Sequence, residues 1–263
     1  MAAKKVAIVR MEGTNNEYEA FQSFSRVGLE PHYIHINELK RKTVSLEDFS
    51  AIFIPGGFSA GDYIRAGVLF ARRLEDAALK DISRFVDEDK PVIGICNGFQ
   101  VLTEMGFLPG WSGGQSREIV LAPNDSNRYE CRYTYVRVET HNPILSPNLE
   151  VGSHHLIPVA HAEGKIRIIE PEKTLSKLED NGQILFRYST PEGELDGYPW
   201  NPNGSISSVA AVSNPHGNVI GMMPHPERLF YYYRRIDREN YGNSAVGQRF
   251  FTAVSDYIIK NDC

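Results

Sequence analysis

The residues best suited to do chemistry sit in the run GICNG, at 94–98. Glycines two before and two after Cys96 let the chain turn sharply from a buried strand into a helix. This is the nucleophile elbow, which pushes its middle side chain out above the sheet. The pattern predicts an exposed thiol on strained backbone. At a helix N-terminus the free N–H groups and the helix dipole favour the thiolate, which is the attacking form. The competing reading is the ordinary fate of cysteine, a small buried hydrophobe.

A cysteine nucleophile needs a base that also protonates the leaving group, and a group that orients the base. Of the 8 histidines, His225 has the best setting, in MPHPER at 223–228. Pro224 and Pro226 restrict the backbone on each side of it. Glu227 follows two residues on, so in extended or turn-like chain both side chains project the same way. The carboxylate can then accept from one ring nitrogen while the other faces the thiol. A turn histidine bonded to a nearby carbonyl is the alternative. The third feature is PGGFSAGD at 55–62, where glycines leave backbone N–H groups free to face an anion. Beside the elbow, the N–H groups of Gly57 and Asn97 would hold an oxyanion; a tight turn needing glycine only for its dihedrals is the plainer explanation. His154, His155 and His161 lack metal-ligand spacing, and adjacent strand residues point to opposite faces, so no metal site is expected. His32, His35, His141 and His216 fall at strand edges or turns.

The elements that must position these groups follow from hydrophobic periodicity. Runs at 5–9 (KVAIV), 31–36 (PHYIHI), 51–54 (AIFI) and 91–95 (PVIGI) predict buried strands. Between them, Tyr18, Phe21, Phe24 and Val27, then Leu74, Ala78, Ile82 and Phe85, have helical spacing, and Phe99, Leu102 and Met105 begin another helix after Cys96. Alternating strands and helices predict an α/β domain with a mostly parallel sheet. Further short strands are expected at 119–122, 133–139, 157–159, 166–169, 184–188 and 207–212, as antiparallel extensions of that sheet. The run VIGMM at 219–223 leads into Pro224, and Val246, Phe250, Val254 and Tyr257 mark a closing helix.

Composition limits the function classes. The 263 residues are 41% hydrophobic and 23% charged, which suits a globular fold. A net charge of -5 gives no broad attraction to nucleic acid or anionic lipid, and no apolar run approaches a bilayer span. No signal-peptide core is apparent, so a cytoplasmic location is expected. The 3 cysteines, Cys96, Cys131 and Cys263, form neither a disulfide framework nor a CxxC pair.

Taken in order, GGFSAGDYIRAG (56–67), GICNGFQVL (94–102), PVAHAEG (158–164), NPNGS (201–205) and MPHPER resemble the class I, triad-type glutamine amidotransferases. Within them they resemble the glutaminase subunits of phosphoribosylformylglycinamidine synthase. The resemblance spans the chain and implies a single domain over 1–263: a flavodoxin-like three-layer sandwich with added antiparallel strands. It implies glutamine hydrolysis through a cysteine thioester, with Cys96, His225 and Glu227 catalytic, Gly57 and Asn97 at the oxyanion, and Gln100 contacting substrate. It also implies a synthetase partner that carries ATP and Mg and turns formylglycinamide ribonucleotide into the amidine, a small accessory subunit, and no cofactor in this chain. A free-standing cysteine hydrolase or peptidase on the same scaffold, and a catalytically silent assembly subunit, are the other readings. His161 and Glu163 repeat the H-x-E spacing of the catalytic pair and are expected to be structural or interfacial. The stretch 170–199 is expected to form a partner-contact element or a long hairpin.

Overall fold

The computed structural model describes residues 4–111, 117–231 and 245–263. Its chain order is β1 (Lys5–Arg10), α1 (Glu17–Arg26), β2 (Glu30–His35), α2 (Ile36–Lys40), β3 (Ala51–Ile54), α3 (Val68–Asp87), β4 (Val92–Ile95) and α4 (Asn97–Glu104). The second half runs β5 (Ile119–Ala122), β6 (Glu130–Val138), β7 (His154–His161), β8 (Lys165–Ile168), α5 (Pro171–Asp180), β9 (Ile184–Ser189), β10 (Val209–Ser213), β11 (Val219–Met222) and α6 (Val246–Lys260).

Nine strands form one sheet in the order β2-β1-β3-β4-β11-β10-β9-β6-β7. The pairings from β2 across to β11 are parallel and the rest antiparallel. Strands β3, β4 and β11 are buried at every position, because helices cover both faces of a parallel sheet and no alternation survives. Helix α1 packs with α6, and α3 packs with α2 and α4. Strand order reverses about β1, whose neighbours are β2 and β3. In open α/β sheets of this kind the crevice for a ligand opens at the carboxyl ends of the strands. The carboxyl ends of β3, β4 and β11 carry Gly56, Cys96 and His225.

Four expectations need correction. The 31–36 run ends as a strand at His35, whose ring nitrogen accepts from Asn37 N while Glu38 accepts from His35 N, a capping box that starts α2 at Ile36. The strands expected at 119–122 and 166–169 do not extend the main sheet. They pair with each other as β5–β8, and Ser205 Oγ accepts from Ile166 N on the side where another strand would have to join. The stretch 170–199 is not a hairpin: it supplies α5, with Pro171 at its first turn, and then β9, an interior strand of the main sheet. The fourth correction concerns exposure of the thiol and belongs with the site. Among the described residues, no helix is long and apolar enough to cross a membrane.

Candidate active site

Cys96 joins β4 to α4 with φ 52° and ψ -104°, a conformation that side-chain-bearing residues rarely adopt. The neighbouring backbone enforces it. A β-carbon on Gly98 would lie 1.9 Å from Ile54 O, and one on Gly94 would lie 2.4 Å from Gly98 O. Cys96 N donates to Met222 O at 2.8 Å, tying the elbow to β11. The thiol is not exposed as the elbow pattern predicts: Cys96 is only 5% accessible. Chain from the antiparallel half of the sheet covers it, and Sγ lies 3.5 Å from the Ala160 carbonyl on β7.

His225 follows β11 and is held by its own N–H, which donates to Pro158 O on β7 at 2.9 Å. Its Nδ1 donates to Glu227 Oε1 at 2.5 Å, and both side chains are buried. Nε2 has no partner at full hydrogen-bonding geometry, yet the Cys96 sulfur is near enough to act on the ring. Looser contacts of this kind are usual before substrate binds. Burial opposes a charge on His225, but the Glu227 carboxylate and, after it, the Cys96 sulfur outweigh it and raise the imidazole to about 10. An imidazolium oriented by a buried carboxylate and set against a thiol can deliver a proton to a leaving group.

The third strand end closes the site. A β-carbon on Gly56 would stand 2.8 Å from His225 Cε1 and 3.4 Å from Cys96 Cβ, so only glycine lets β3 come this close. Gly57 has φ 146° and pairs with Thr14 in an isolated antiparallel bridge. The bridging bonds come from its neighbours, Asn15 N to Gly56 O and Phe58 N to Gly13 O. At such a non-hydrogen-bonded pair the Gly57 N–H points away from the 13–15 segment and is left for another acceptor. Asn97 begins α4, so its N–H lacks an intrahelical partner.

Gln100 is placed one turn into α4, and its amide is engaged: Nε2 donates to Glu163 O at 2.6 Å, and Oε1 accepts from Asn97 Nδ2 at 2.9 Å. The first bond ties the elbow helix to the segment after β7, and the second lies within the helix. The second H-x-E pair is not an acid–base dyad. Glu163 accepts from Ala66 N at 3.2 Å, whereas His161 is buried against Asn124. Neither Gly56 nor Asn124 is a site residue in the sequence reading. The doubled glycine carried the signal for the first; Asn124, inside an ordinary turn cluster, carried none. Asp62, across the same loop, is raised to about 6 by burial and by the nearby Glu163 carboxylate. Among the described residues, no three His, Cys, Asp or Glu side chains converge to hold a metal.

A profile of the CobB/CobQ-like glutamine amidotransferase domain matches residues 3–258. The chain belongs to this family. Among amidotransferase relatives, the phosphoribosylformylglycinamidine synthase subunit PurQ of Picrophilus torridus is 51% identical over 252 residues, 95% of this chain and 97% of that one. The PurQ subunit of Archaeoglobus fulgidus is 43% identical, covering 97% of both. A structure of PurLQS from Thermotoga maritima superposes with a TM-score of 0.75 at 29% identity, covering 97% of this chain and 99% of that one.

Proposed function

We propose that this chain is the glutaminase subunit of a phosphoribosylformylglycinamidine synthase. It hydrolyses L-glutamine to glutamate and ammonia and delivers the ammonia to a synthetase partner, in de novo purine synthesis. The observation that carries the reading is the buried Cys96–His225–Glu227 arrangement in a chain so similar, along nearly its whole length, to subunits named PurQ. Cys96 attacks the side-chain carbonyl carbon of glutamine, and the oxygen's growing negative charge is taken by the Gly57 and Asn97 N–H groups. His225, held by Glu227, gives its proton to the nitrogen as the C–N bond breaks. It then takes a proton from the water that attacks the glutamyl thioester, releasing glutamate.

The PurLQS relative supports a complex with a synthetase subunit and a small accessory subunit. ATP and Mg belong to the synthetase, where formylglycinamide ribonucleotide becomes the amidine, and this chain needs no cofactor of its own. A cytoplasmic location suits that pathway. No feature of the site favours a free-standing peptidase.

Glutamate release measured with the synthetase partner, ATP and formylglycinamide ribonucleotide tests the reading. The complex is expected to form glutamate and amidine in equal amounts, with far slower release by the chain alone. An authentic, active partner that elicits no glutamate would refute the proposal. A second expectation concerns Glu227→Gln. Losing the carboxylate lowers the His225 imidazole from its raised position, so the acid form needed for the leaving nitrogen is lost at lower pH. The alkaline limb of kcat/KM should move down by more than one pH unit, and kcat should fall by about 10²–10⁴-fold. An unmoved alkaline limb would show that Glu227 does not hold His225.

A further inference from the structure

We infer that His161 accepts a hydrogen bond, through Nε2, from the carboxamide nitrogen of glutamine and goes on accepting it as that nitrogen departs as ammonia. The inference rests on the glutaminase reading above and assigns to that reaction a residue outside the Cys96, His225 and Glu227 set.

The hydrogen bonds around Asn124 fix the tautomer of His161. Asn124 Nδ2 gives its two hydrogens to the carbonyls of Arg128 and His161, each at 2.9 Å, so Oδ1 is the acceptor side of the amide. That oxygen accepts from Gly164 N at 3.1 Å and meets His161 Nδ1 at 3.1 Å. Nδ1 must therefore carry the hydrogen. Burial, and after it the charge of nearby His225, lower the imidazole to about 3, so His161 stays neutral wherever the protein works. Its Nε2 is then a bare lone pair.

That lone pair is buried and has no partner, in a residue only 2% accessible. Buried acceptors normally find a donor. The one missing here is supplied by substrate. His161 directly follows Ala160, whose carbonyl lies 3.5 Å from Cys96 Sγ, and is near enough to His225 for the charge on that ring to oppose protonation of His161. With the carbonyl oxygen of glutamine on the Gly57 and Asn97 amides, the nitrogen is left on the histidine side. His225 is a donor to that nitrogen, and its other ring nitrogen is taken by Glu227. The N–H groups of the leaving nitrogen need acceptors, and His161 Nε2 is one.

The chemistry of departure fits. In the tetrahedral intermediate the nitrogen's own lone pair takes the proton of His225, the C–N bond breaks, the thioester carbonyl re-forms and neutral NH₃ leaves. A neutral His161 accepts an N–H without giving a proton, so the product is held as ammonia, the nucleophile a synthetase can use, and not as ammonium.

Two substitutions separate this role from a structural one. His161→Asn keeps an amide N–H near the place of Nδ1, facing Asn124, and deletes the Nε2 acceptor. His161→Gln gives up the Asn124 bond but can bring an amide oxygen near the place of Nε2. The measurement is kcat/KM, with the synthetase complex, for glutamine and for γ-glutamyl methyl ester, whose leaving group carries no N–H. His161→Asn should lower the glutamine value about tenfold, the size of one lost hydrogen bond, and change the ester value by less than about twofold. His161→Gln should recover most of the glutamine activity. Equal loss on both substrates, no loss on either, or a weaker His161→Gln than His161→Asn would overturn the inference. A wild-type complex releasing no glutamate at all would instead refute the glutaminase reading, so the two failures are distinguishable.

Discussion

Replacing Cys96 with Ala is expected to reduce glutamate release from glutamine by about 10⁴-fold or more, with the synthetase partner present, while the chain remains folded. The size follows from covalent catalysis: without the sulfur there is no thioester, and water would have to attack the amide directly. No other cysteine can substitute. Cys131 is exposed on β6, and Cys263 is at the end of the chain, where its carbonyl accepts from Ser50 Oγ and Lys4 Nζ. Folding should survive because the thiol's contacts, to Ala160 O and to the His225 ring, are loose, and Ala keeps the β-carbon that the left-handed backbone already tolerates. The melting temperature should move by no more than a few degrees. Glutamate release within tenfold of wild type by a folded Cys96→Ala complex would remove the thioester mechanism. Partner-supported turnover with free ammonia should persist in the same variant, since the synthetase chemistry is untouched.

The central parallel strands were legible because they are buried on both faces and so read as apolar runs, as at Ile52–Ile54 and Val92–Ile95. Cys96, His225 and Glu227 were legible for a different reason. Each role depends on local sequence: two flanking glycines for the thiol, two prolines and an i+2 carboxylate for the base. The parts that escaped depend on groups far apart in the chain. Whether the Cys96 thiol is exposed is decided by Ala160, 64 residues later, and the tautomer of His161 by Asn124, 37 residues earlier. Helix α5 was missed because only Thr174 and Leu178 are buried on it, too few to show a period. The start of α2 was missed because a histidine caps it, a residue not among the usual N-caps. The doubled glycine at 56–57 was seen, but as a source of N–H groups. Its other role, letting β3 reach His225 and Cys96, appears only when the strands are assembled.

Gly98→Ala puts two physical effects in opposition, and their magnitudes decide the outcome. Position 98 is within α4, where alanine is favoured over glycine by about 1 kcal/mol on helix propensity alone. Against this, the new β-carbon would sit 1.9 Å from Ile54 O and 2.8 Å from Ile54 C, backbone atoms of a central strand that cannot rotate away. The helix must retreat from β3 by more than 1 Å. That opens the contact beneath Phe99 and Leu102, which are fully buried. Overpacking of this kind costs about 1–3 kcal/mol and sometimes more; with rigid backbone on both sides it should exceed the propensity gain by about 2 kcal/mol. The expected fall in melting temperature is about 4–8 °C. Activity should fall further than stability, because Cys96 moves with the helix while His225 stays with β11, and displacement by about 1 Å can cost about 10²-fold. Gly197→Ala is the matched control: nothing lies within 4 Å of its β-carbon position and its φ is outside the left-handed region. It should leave both quantities unchanged. If Gly98→Ala melts with the Gly197→Ala control, the close approach of α4 to β3 is not what sets the elbow. If it melts early but keeps full activity, the thiol does not depend on that approach for its position.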